Sequence, residues 1–220
     1  MPQKIRAVIF DMDGVLVNSE PLINAAAIAM FREKGLLVQP QDFLPFVGAG
    51  EDRYIGGVAE KYGFPLDVPQ AKTRTYEIYL DLVPTQLEAF PGVHALVQNC
   101  NHAGLRVAVA SGTDMIKLRA SLQKIGLPEG SWDVVVSGND VKQNKPAPDI
   151  FLTTASKLET PPSACVVLED SVNGVRAAKA AGMRCVAVAQ TFPASRLQEA
   201  DMVRDSIADV QLADLIQDSA

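Results

Sequence analysis

The chain has 220 residues, 48% of them hydrophobic, and a formal net charge of −6 at pH 7. This length and composition allow a sizeable core, in one large domain or in one domain that carries a smaller insertion. No run of Lys and Arg could follow a phosphate backbone, and no apolar stretch is long enough to cross a bilayer. We therefore expect neither nucleic acid nor a membrane as a partner.

The N-terminus and the cysteines indicate a reducing compartment. The first apolar run begins within a few residues of the N-terminus, so we expect no signal peptide. Cys165 and Cys185 each open an apolar run, and Cys100 stands far from both, so buried free thiols are favoured over metal ligands. We expect a globular, monomeric, cytoplasmic protein.

Five short apolar runs rich in Val predict strands, at residues 7–10, 107–110, 134–136, 166–168 and 186–188. Because these runs do not alternate with polar residues, both faces of the sheet should be covered, which is typical of parallel sheets. Helical spacing of apolar residues predicts intervening helices, at residues 115–125, 149–158 and 172–181. This alternation predicts an α/β fold with a doubly wound, Rossmann-like parallel sheet.

One long stretch interrupts the alternation. No strand is predicted between residues 18 and 88, where three helical patterns appear instead, at residues 21–34, 51–62 and 69–82. A helical insertion of this size, straight after the first strand, is typical of a second small domain. We therefore predict a core domain of residues 1–17 and 89–220, and an inserted helical domain of residues 18–88.

Paired carboxylates follow two of the predicted strands. Asp11 and Asp13 follow the first strand and would point the same way if its geometry persists, and Glu169 and Asp170 follow the fourth strand. Like charges this close are costly to ionise unless a cation compensates, and oxygen ligands favour a hard ion such as Mg2+. The alternatives are a solvated Asp-rich turn at the first site and helix capping by Asp170 at the second.

Two more polar segments follow predicted strands. Ser111 and Gly112 follow the second strand, where a hydroxyl and free N–H groups at a helix start could hold phosphate oxygens. Lys145 lies between prolines and the third strand and could deliver a positive charge to a fixed place. Taken alone, a helix N-cap and an exposed lysine remain the simpler interpretations. All four segments would meet at the carboxyl edge of a parallel sheet, where open α/β folds bind their ligands.

These segments together resemble the haloacid dehalogenase-like hydrolases, in the branch that contains β-phosphoglucomutase and small sugar-phosphate phosphatases. The resemblance rests on four segments in matching order and spacing: residues 11–16 (DMDGVL), 111–113 (SGT), 145–151 (KPAPDIF) and 168–174 (LEDSVNG). The helical insertion falls where that branch places a cap domain, so the resemblance implies a cap at residues 18–88.

The resemblance also implies a role for each core residue. Asp11 would be the nucleophile that takes the phosphoryl group, and Asp13 would be the general acid and then the general base. Ser111, Gly112 and Lys145 would hold the phosphoryl oxygens.

The metal site is implied in the same way. Mg2+ would be bound by Asp11, by the backbone carbonyl of Asp13 and by Asp170, with Glu169 helping from nearby. The ion would offset negative charge on the nucleophile and on the transferred group.

The inserted domain bears on the choice of function. In β-phosphoglucomutase a His steers the catalytic aspartate, and an Arg and a Lys of the cap bind a second phosphate. The corresponding residues here are Ile23, Glu51 and Thr75, whose side chains cannot take these roles. Three cations could compensate only if this alignment is shifted by a few positions: Arg53, Lys72 and Arg74. We predict a phosphatase of a small phosphorylated metabolite, a sugar phosphate by expectation, with β-phosphoglucomutase-type transfer as the alternative. A receiver-like, non-catalytic module fits less well, because its acid pair precedes the phosphorylated Asp.

A glycine-containing segment of the insertion is the candidate for substrate selection. Its residues are Gly48, Ala49, Gly50, Glu51 and Arg53. Glycine flexibility would suit a loop that closes over the active site, although the mixed character of the segment does not identify a ligand.

Overall fold

A computed structural model describes residues 4–48 and 50–216. The chain divides into two compact units, Met1–Asn18 with Glu88–Ala220, and Ser19–Leu87. Each boundary differs by one residue from the one predicted for the inserted domain.

The first unit is built around one parallel sheet. Within the described residues its six strands are β1 (Ala7–Phe10), β2 (Arg106–Ala110), β3 (Val134–Val136), β4 (Cys165–Glu169), β5 (Arg184–Val188) and β6 (Met202–Arg204). Their order is β3-β2-β1-β4-β5-β6, and every neighbouring pair is parallel. The predicted doubly wound parallel α/β fold is confirmed.

Helices alternate with these strands and also form the second unit. In the described part of the chain they are α1 (Glu20–Glu33), α2 (Glu51–Lys61), α3 (Val68–Gln86), α4 (Val93–His102), α5 (Met115–Lys124), α6 (Asp149–Lys157), α7 (Val172–Ala180) and α8 (Leu212–Ile216). Single turns of 3-10 helix lie at Pro40–Asp42, Leu44–Phe46, Glu129–Ser131, Gly138–Asp140, Pro162–Ala164, Ala194–Arg196 and Ile207–Asp209. None of the helices described is both long and apolar enough to span a bilayer.

The core of the first unit is the sheet and the apolar faces of its helices. Every residue of β1 and of β4 is buried, as continuous apolar runs in central strands predict. Ile9 and Val167 belong to a cluster of buried side chains that also contains Ile150 and Phe151 of α6. The predicted free thiols are confirmed, since all three cysteines are buried and unpaired by disulfides.

Strand β6 and helix α3 differ from the sequence prediction. The edge strand β6 was not predicted because its three residues are half-buried and flanked by Asp201 and Asp205, so no continuous apolar run marks it. Parallel pairing with β5 holds it in the sheet. Helix α3 continues to Gln86, four residues beyond the predicted end, although Pro84 in its last turn cannot donate a hydrogen bond to the carbonyl four residues earlier.

The second unit has its own buried centre. Rings of Phe31, Phe43 and Tyr54 pack with centroids 6.2 and 4.8 Å apart. Asp42, the residue before Phe43, is also buried. Nζ of Lys61 lies 2.6 Å and the Tyr62 hydroxyl 2.7 Å from its carboxylate oxygens. The hydrogen bond from Lys61, then those from the backbone N–H of residue 39 and from Tyr62, lower the pKa of Asp42 to about 2.

A single methyl group added at Gly92 should measure how tightly the start of α4 is packed. Gly92 has a φ of +92°, and an added Cβ would lie 2.6 Å from Cα of Ala208. We expect Gly92→Ala to lower the free energy of unfolding by about 2 kcal/mol or more, from backbone strain and overlap together.

Gly104→Ala is the matched control for this change. Gly104 has a φ of +72°, but no atom lies within 4 Å of an added Cβ, so only strain of about 1 kcal/mol is expected. Urea denaturation of both variants measures the difference, and equal losses would contradict the predicted overlap at Gly92.

Candidate active site

The candidate site lies at the carboxyl edge of the sheet, where adjacent strands end. Asp11 follows β1, and its N–H donates to the carbonyl of Leu168 at 2.9 Å, which places it beside the end of β4. Ser111 follows β2, and its N–H donates to the carbonyl of Val136 at 3.0 Å. The parallel register therefore brings the ends of four neighbouring strands to one edge, as predicted.

Lys145 is held between two carboxylates at this edge. Its Nζ lies 2.6 Å from Asp11 Oδ1 and 2.6 Å from Glu169 Oε1. The same atom lies 5.0 Å from the ring centre of Phe151. Burial alone would lower the pKa of Lys145, but Asp11 and Glu169 outweigh it and raise that pKa. Lys145 is therefore a fixed positive charge beside Asp11.

Three carboxylates converge around this lysine. Asp11, Glu169 and Asp170 are buried, and one oxygen of each lies within 4.8 Å of the others. Burial, together with neighbouring carboxylates, raises the pKa of Asp11 to about 7, although Lys145 opposes the shift. Burial and the charges of Glu169 and Asp11 likewise raise the pKa of Asp170 well above its ordinary value.

The charge of this group fits a divalent cation. With the carboxylates of Asp11, Glu169 and Asp170 ionised, the single charge of Lys145 leaves two negative charges without compensation. Three oxygen donors in a buried setting match the preference of Mg2+ for hard ligands. The donor set and the raised pKa values therefore agree with the predicted metal site.

Glu169 is also occupied by other groups. Its Oε1 accepts from Lys145, and its Oε2 accepts from the N–H groups of Asp170 and Ser171 at 2.8 and 2.7 Å and from the Ser171 hydroxyl at 2.9 Å. A Cβ on Gly174 would overlap the Glu169 carboxyl group, so glycine is required where α7 begins. These contacts suit Glu169 to positioning Lys145 and Asp170, and they leave Asp11 and Asp170 as the better direct ligands.

Asp13 is bound by a different lysine. Its Oδ2 lies 3.0 Å from Nζ of Lys117, a buried residue of the first turn of α5. The next residue, Gly14, has a φ of +81°, and a Cβ there would overlap the carboxylate of Asp170. The turn after β1 therefore depends on glycine to bring Asp13 and Asp170 to the same edge.

Ser111 and Gly112 form a compact turn after β2. Ser111 is 1% exposed, and its Oγ accepts from the N–H of Thr113 at 3.3 Å. A Cβ on Gly138 would overlap the Gly112 carbonyl, so the segment after β3 packs directly on this turn. Lys145 Nζ lies 3.5 Å from the carbonyl of Ala110, the residue before Ser111.

The predicted specificity residues lie in the second unit. Gly48 and Gly50 have φ values of +77° and +86°, and Glu51 is the first residue of α2. Arg53 donates to Glu60 Oε2 at 2.6 Å, and its guanidinium lies 5.1 Å from the ring centre of Phe46. Ala49 lies outside the described residues.

Sequence reasoning missed three polar residues of the site. Lys117 shares a buried helix face with Ser121, one turn later, and this spacing could have revealed it. A side-chain hydrogen bond from Thr191 to Asp170 lowers the Asp170 pKa, and Gln190 Nε2 donates to the carbonyl of Gly14 at 2.8 Å. Thr191 and Gln190 follow β5 in a segment without a recognisable pattern.

Comparison with known proteins agrees with this geometry. A family model described as haloacid dehalogenase-like hydrolase matches residues 5–182. Hexitol phosphatase B of Escherichia coli (strain K12) is 34% identical over 223 residues, which cover 98% of each chain. The crystal structure of a CbbY mutant from Rhodobacter sphaeroides in complex with xylulose-(1,5)bisphosphate has a TM-score of 0.89 and 29% identity, over 97% of this chain and 100% of that one.

A further relative is much longer than this chain. Protein SUPPRESSOR OF QUENCHING 1, chloroplastic, of Arabidopsis thaliana is 47% identical over 220 residues, which are 97% of this chain and 21% of that protein. The chain thus spans about a fifth of the length of that relative.

The chain belongs to the haloacid dehalogenase-like hydrolases. It is an enzyme of the phosphatase group of that family, which confirms the resemblance found in its sequence.

The raised pKa of Asp11 should make the stability of the metal-free protein depend on pH. The folded protein binds a proton on Asp11 up to a pKa of about 7, whereas the ordinary value is 3.8, so the free energy of unfolding should fall as pH rises through this interval. Asp11→Asn removes this contribution. In EDTA at pH 8 we expect the variant to be more stable than the parent by roughly 1–3 kcal/mol.

Urea denaturation in EDTA at pH 4 and pH 8 measures this effect. The advantage of Asp11→Asn should shrink toward pH 4, where the parent residue is protonated too. A parent protein that is the more stable of the two at pH 8 would show that Lys145 stabilises Asp11 by more than its burial costs.

Proposed function

We propose that the protein is a magnesium-dependent phosphatase that hydrolyses a small phosphorylated metabolite, a sugar phosphate, through an aspartyl-phosphate on Asp11. The observation that carries this proposal is the buried Asp11 carboxylate, 2.6 Å from the Lys145 ammonium and within a group of three carboxylates. A carboxylate in this setting is a poor choice for stability and a good one for a nucleophile.

The residues of the site have complementary tasks in two steps. In the first step an Asp11 oxygen attacks phosphorus, the bond from phosphorus to the ester oxygen breaks, and Asp13 donates a proton to the leaving alkoxide. In the second step water attacks the phosphorus, Asp13 takes a proton from that water, and phosphate leaves Asp11. Ser111, Gly112 and Lys145 hold the phosphoryl oxygens during both steps.

Asp11, Asp170 and the backbone carbonyl of Asp13 would hold Mg2+, with Glu169 supporting them from nearby. When bound, the ion offsets negative charge on the nucleophile and on the transferred group. The two uncompensated negative charges around Lys145 support this assignment.

Relatives support the substrate class. Hexitol phosphatase B is named for a phosphatase activity, and the CbbY mutant was crystallised with a sugar bisphosphate. Both cover almost the whole of this chain, so we extend a small phosphorylated substrate to it. We also propose that residues 18–88 act as the cap, that the segment of residues 48–53 contributes to substrate selection, and that the protein works as a monomer in the cytoplasm.

The second unit favours hydrolysis over a mutase reaction. Ile23 is a buried aliphatic residue of α1 and cannot steer an aspartate by hydrogen bonding. Thr75 is buried, and its hydroxyl donates to the carbonyl of Ala71 at 2.9 Å, within its own helix. Glu51, in the first turn of α2, would repel a second phosphate.

The cations that could hold a second phosphate are bound by carboxylates instead. The pairs are Arg53 with Glu60 at 2.6 Å, Lys72 with Asp52 at 3.0 Å, and Arg74 with Glu33 at 2.8 Å and Glu77 at 2.7 Å. Each cation would have to give up such a contact to bind phosphate. This pairing weakens the case for a bisphosphate intermediate.

A panel of phosphorylated metabolites with Mg2+, assayed for released phosphate, tests the proposed reaction. We expect EDTA to stop turnover, added Mg2+ to restore it, and Asp11→Asn to lower kcat by about three orders of magnitude or more, because an amide does not form an acyl phosphate. Asp205→Asn, the same chemical change at an exposed residue, should behave like the parent.

Two results of this assay would contradict the proposal. Turnover by Asp11→Asn within tenfold of the parent would exclude the covalent route. Full activity in chelator would remove Mg2+ from the mechanism.

The mutase alternative has a separate test. We expect β-glucose 1-phosphate to give phosphate, if it is accepted at all, and no requirement for glucose 1,6-bisphosphate as an activator. The physical reason is that the second unit offers no cation without a carboxylate partner among Arg53, Lys72 and Arg74. Bisphosphate-dependent formation of glucose 6-phosphate, faster than phosphate release, would make the mutase assignment the correct one.

A further inference from the structure

A second lysine, Lys117, also contacts this edge of the sheet, and it is buried. Nζ of Lys117 lies 3.0 Å from Asp13 Oδ2, across 104 positions of sequence. The Lys117 side chain is 4% exposed, whereas the Asp13 side chain is 31% exposed. The ammonium group is therefore almost fully removed from water, while the carboxylate that it binds stays accessible.

The stability of α5 gives no reason for a lysine at this position. Lys117 is the third residue of the helix, where the positive end of the helix dipole disfavours a cation. It shares the buried face of α5 with Leu118, Ser121 and Leu122, where an apolar side chain would fit. A buried ion pair is often no more stabilising than apolar residues of similar volume. Lys117 therefore calls for another explanation.

The backbone around Asp13 supplies that explanation. Asp13 lies beyond the end of β1 and outside the sheet, in an isolated bridge with Val17, where the N–H of Gly14 donates to the carbonyl of Val17 at 2.9 Å. This bridge holds the backbone of Asp13, but it does not set the rotamer of the carboxylate. The contact from Lys117 fixes one carboxylate oxygen of Asp13 from a second, rigid element.

We infer that Lys117 is a positioning residue that holds the Asp13 carboxylate in the orientation required for proton transfer. The inference rests on the proposed phosphatase function. Asp13 donates its proton to the leaving alkoxide and later takes one from water, and the contact from Lys117 keeps one oxygen of the Asp13 carboxyl group in place. The two aspartates after β1 thus each have their own lysine, Lys145 for Asp11 and Lys117 for Asp13.

Substrates with different leaving groups test this role. Lys117→Met keeps the volume of the side chain and removes its charge. We expect kcat/KM for an alkyl phosphate to fall about tenfold to a hundredfold, because an alkoxide leaves poorly without a proton from Asp13. For p-nitrophenyl phosphate, whose leaving group needs no proton, kcat/KM should change by less than about threefold.

Lys124→Met is the matched control for this variant. Lys124 is an exposed lysine at the end of the same helix, and its replacement should leave both substrates at parent values. Equal losses of Lys117→Met on the alkyl and the aryl substrate would overturn the inference, since they would indicate general damage to the site.

Asp13→Asn separates the inference from the function on which it rests. If Asp13→Asn retains parent activity on the alkyl phosphate, the acid role in the proposed function is wrong, and the inference falls with it. If Asp13→Asn loses activity and Lys117→Met does not, the inference alone is overturned. In the double variant, Lys117→Met should add no further loss to Asp13→Asn, and an additive loss would contradict action through Asp13.

Two measurements do not depend on turnover. The melting temperature of Lys117→Met should equal or exceed that of the parent, because the Asp13 side chain is 31% exposed and water can solvate its charge. A marked fall would assign Lys117 a structural role instead. A crystal structure of Lys117→Met should show the Asp13 carboxylate in another rotamer or in several. An unchanged Asp13 side chain would overturn the inference.

Discussion

Three buried carboxylates lie around a single lysine, Lys145, at the carboxyl edge of this sheet, and the surrounding structure is arranged around that imbalance of charge. Removing an ion from water costs several kcal/mol, and here Asp11, Glu169 and Asp170 are all removed together. Lys145 compensates one of the three charges through contacts of 2.6 Å to Asp11 and Glu169. Such a group is expensive for a fold and useful for binding a divalent cation and a phosphoryl group.

The backbone gives these groups very little room. Gly14 packs against the carboxylate of Asp170 and Gly174 against that of Glu169, at distances that no Cβ could share. Residues farther along the chain then fix the same groups, since Gln190 binds the carbonyl of Gly14. The parallel sheet and these close contacts hold the side chains in place, which would limit the reorganisation required during the proposed phosphoryl transfer.

The sequence allowed a correct placement where one pattern, an apolar run followed by a polar residue, marks both a strand and a side chain at its end. Asp11, Lys145 and Asp170 could be placed because each follows an apolar run or its loop, and parallel strands bring their ends to one edge. The strand β6 could not be predicted, because its pairing with β5 and not its own composition keeps it in the sheet. The contact between Lys117 and Asp13 was missed for a related reason: it joins residues 104 positions apart.

Detection of a phosphoryl group on Asp11 is the most direct test of the covalent mechanism. The parent protein with Mg2+ and a substrate is quenched in acid within one turnover, and the masses of its peptides are measured by mass spectrometry. We expect one added phosphoryl group on the peptide that contains Asp11, and none on that peptide in Asp11→Asn. Phosphate release without a phosphorylated peptide, or a phosphoryl group on Ser111 in place of Asp11, would contradict the covalent route through Asp11.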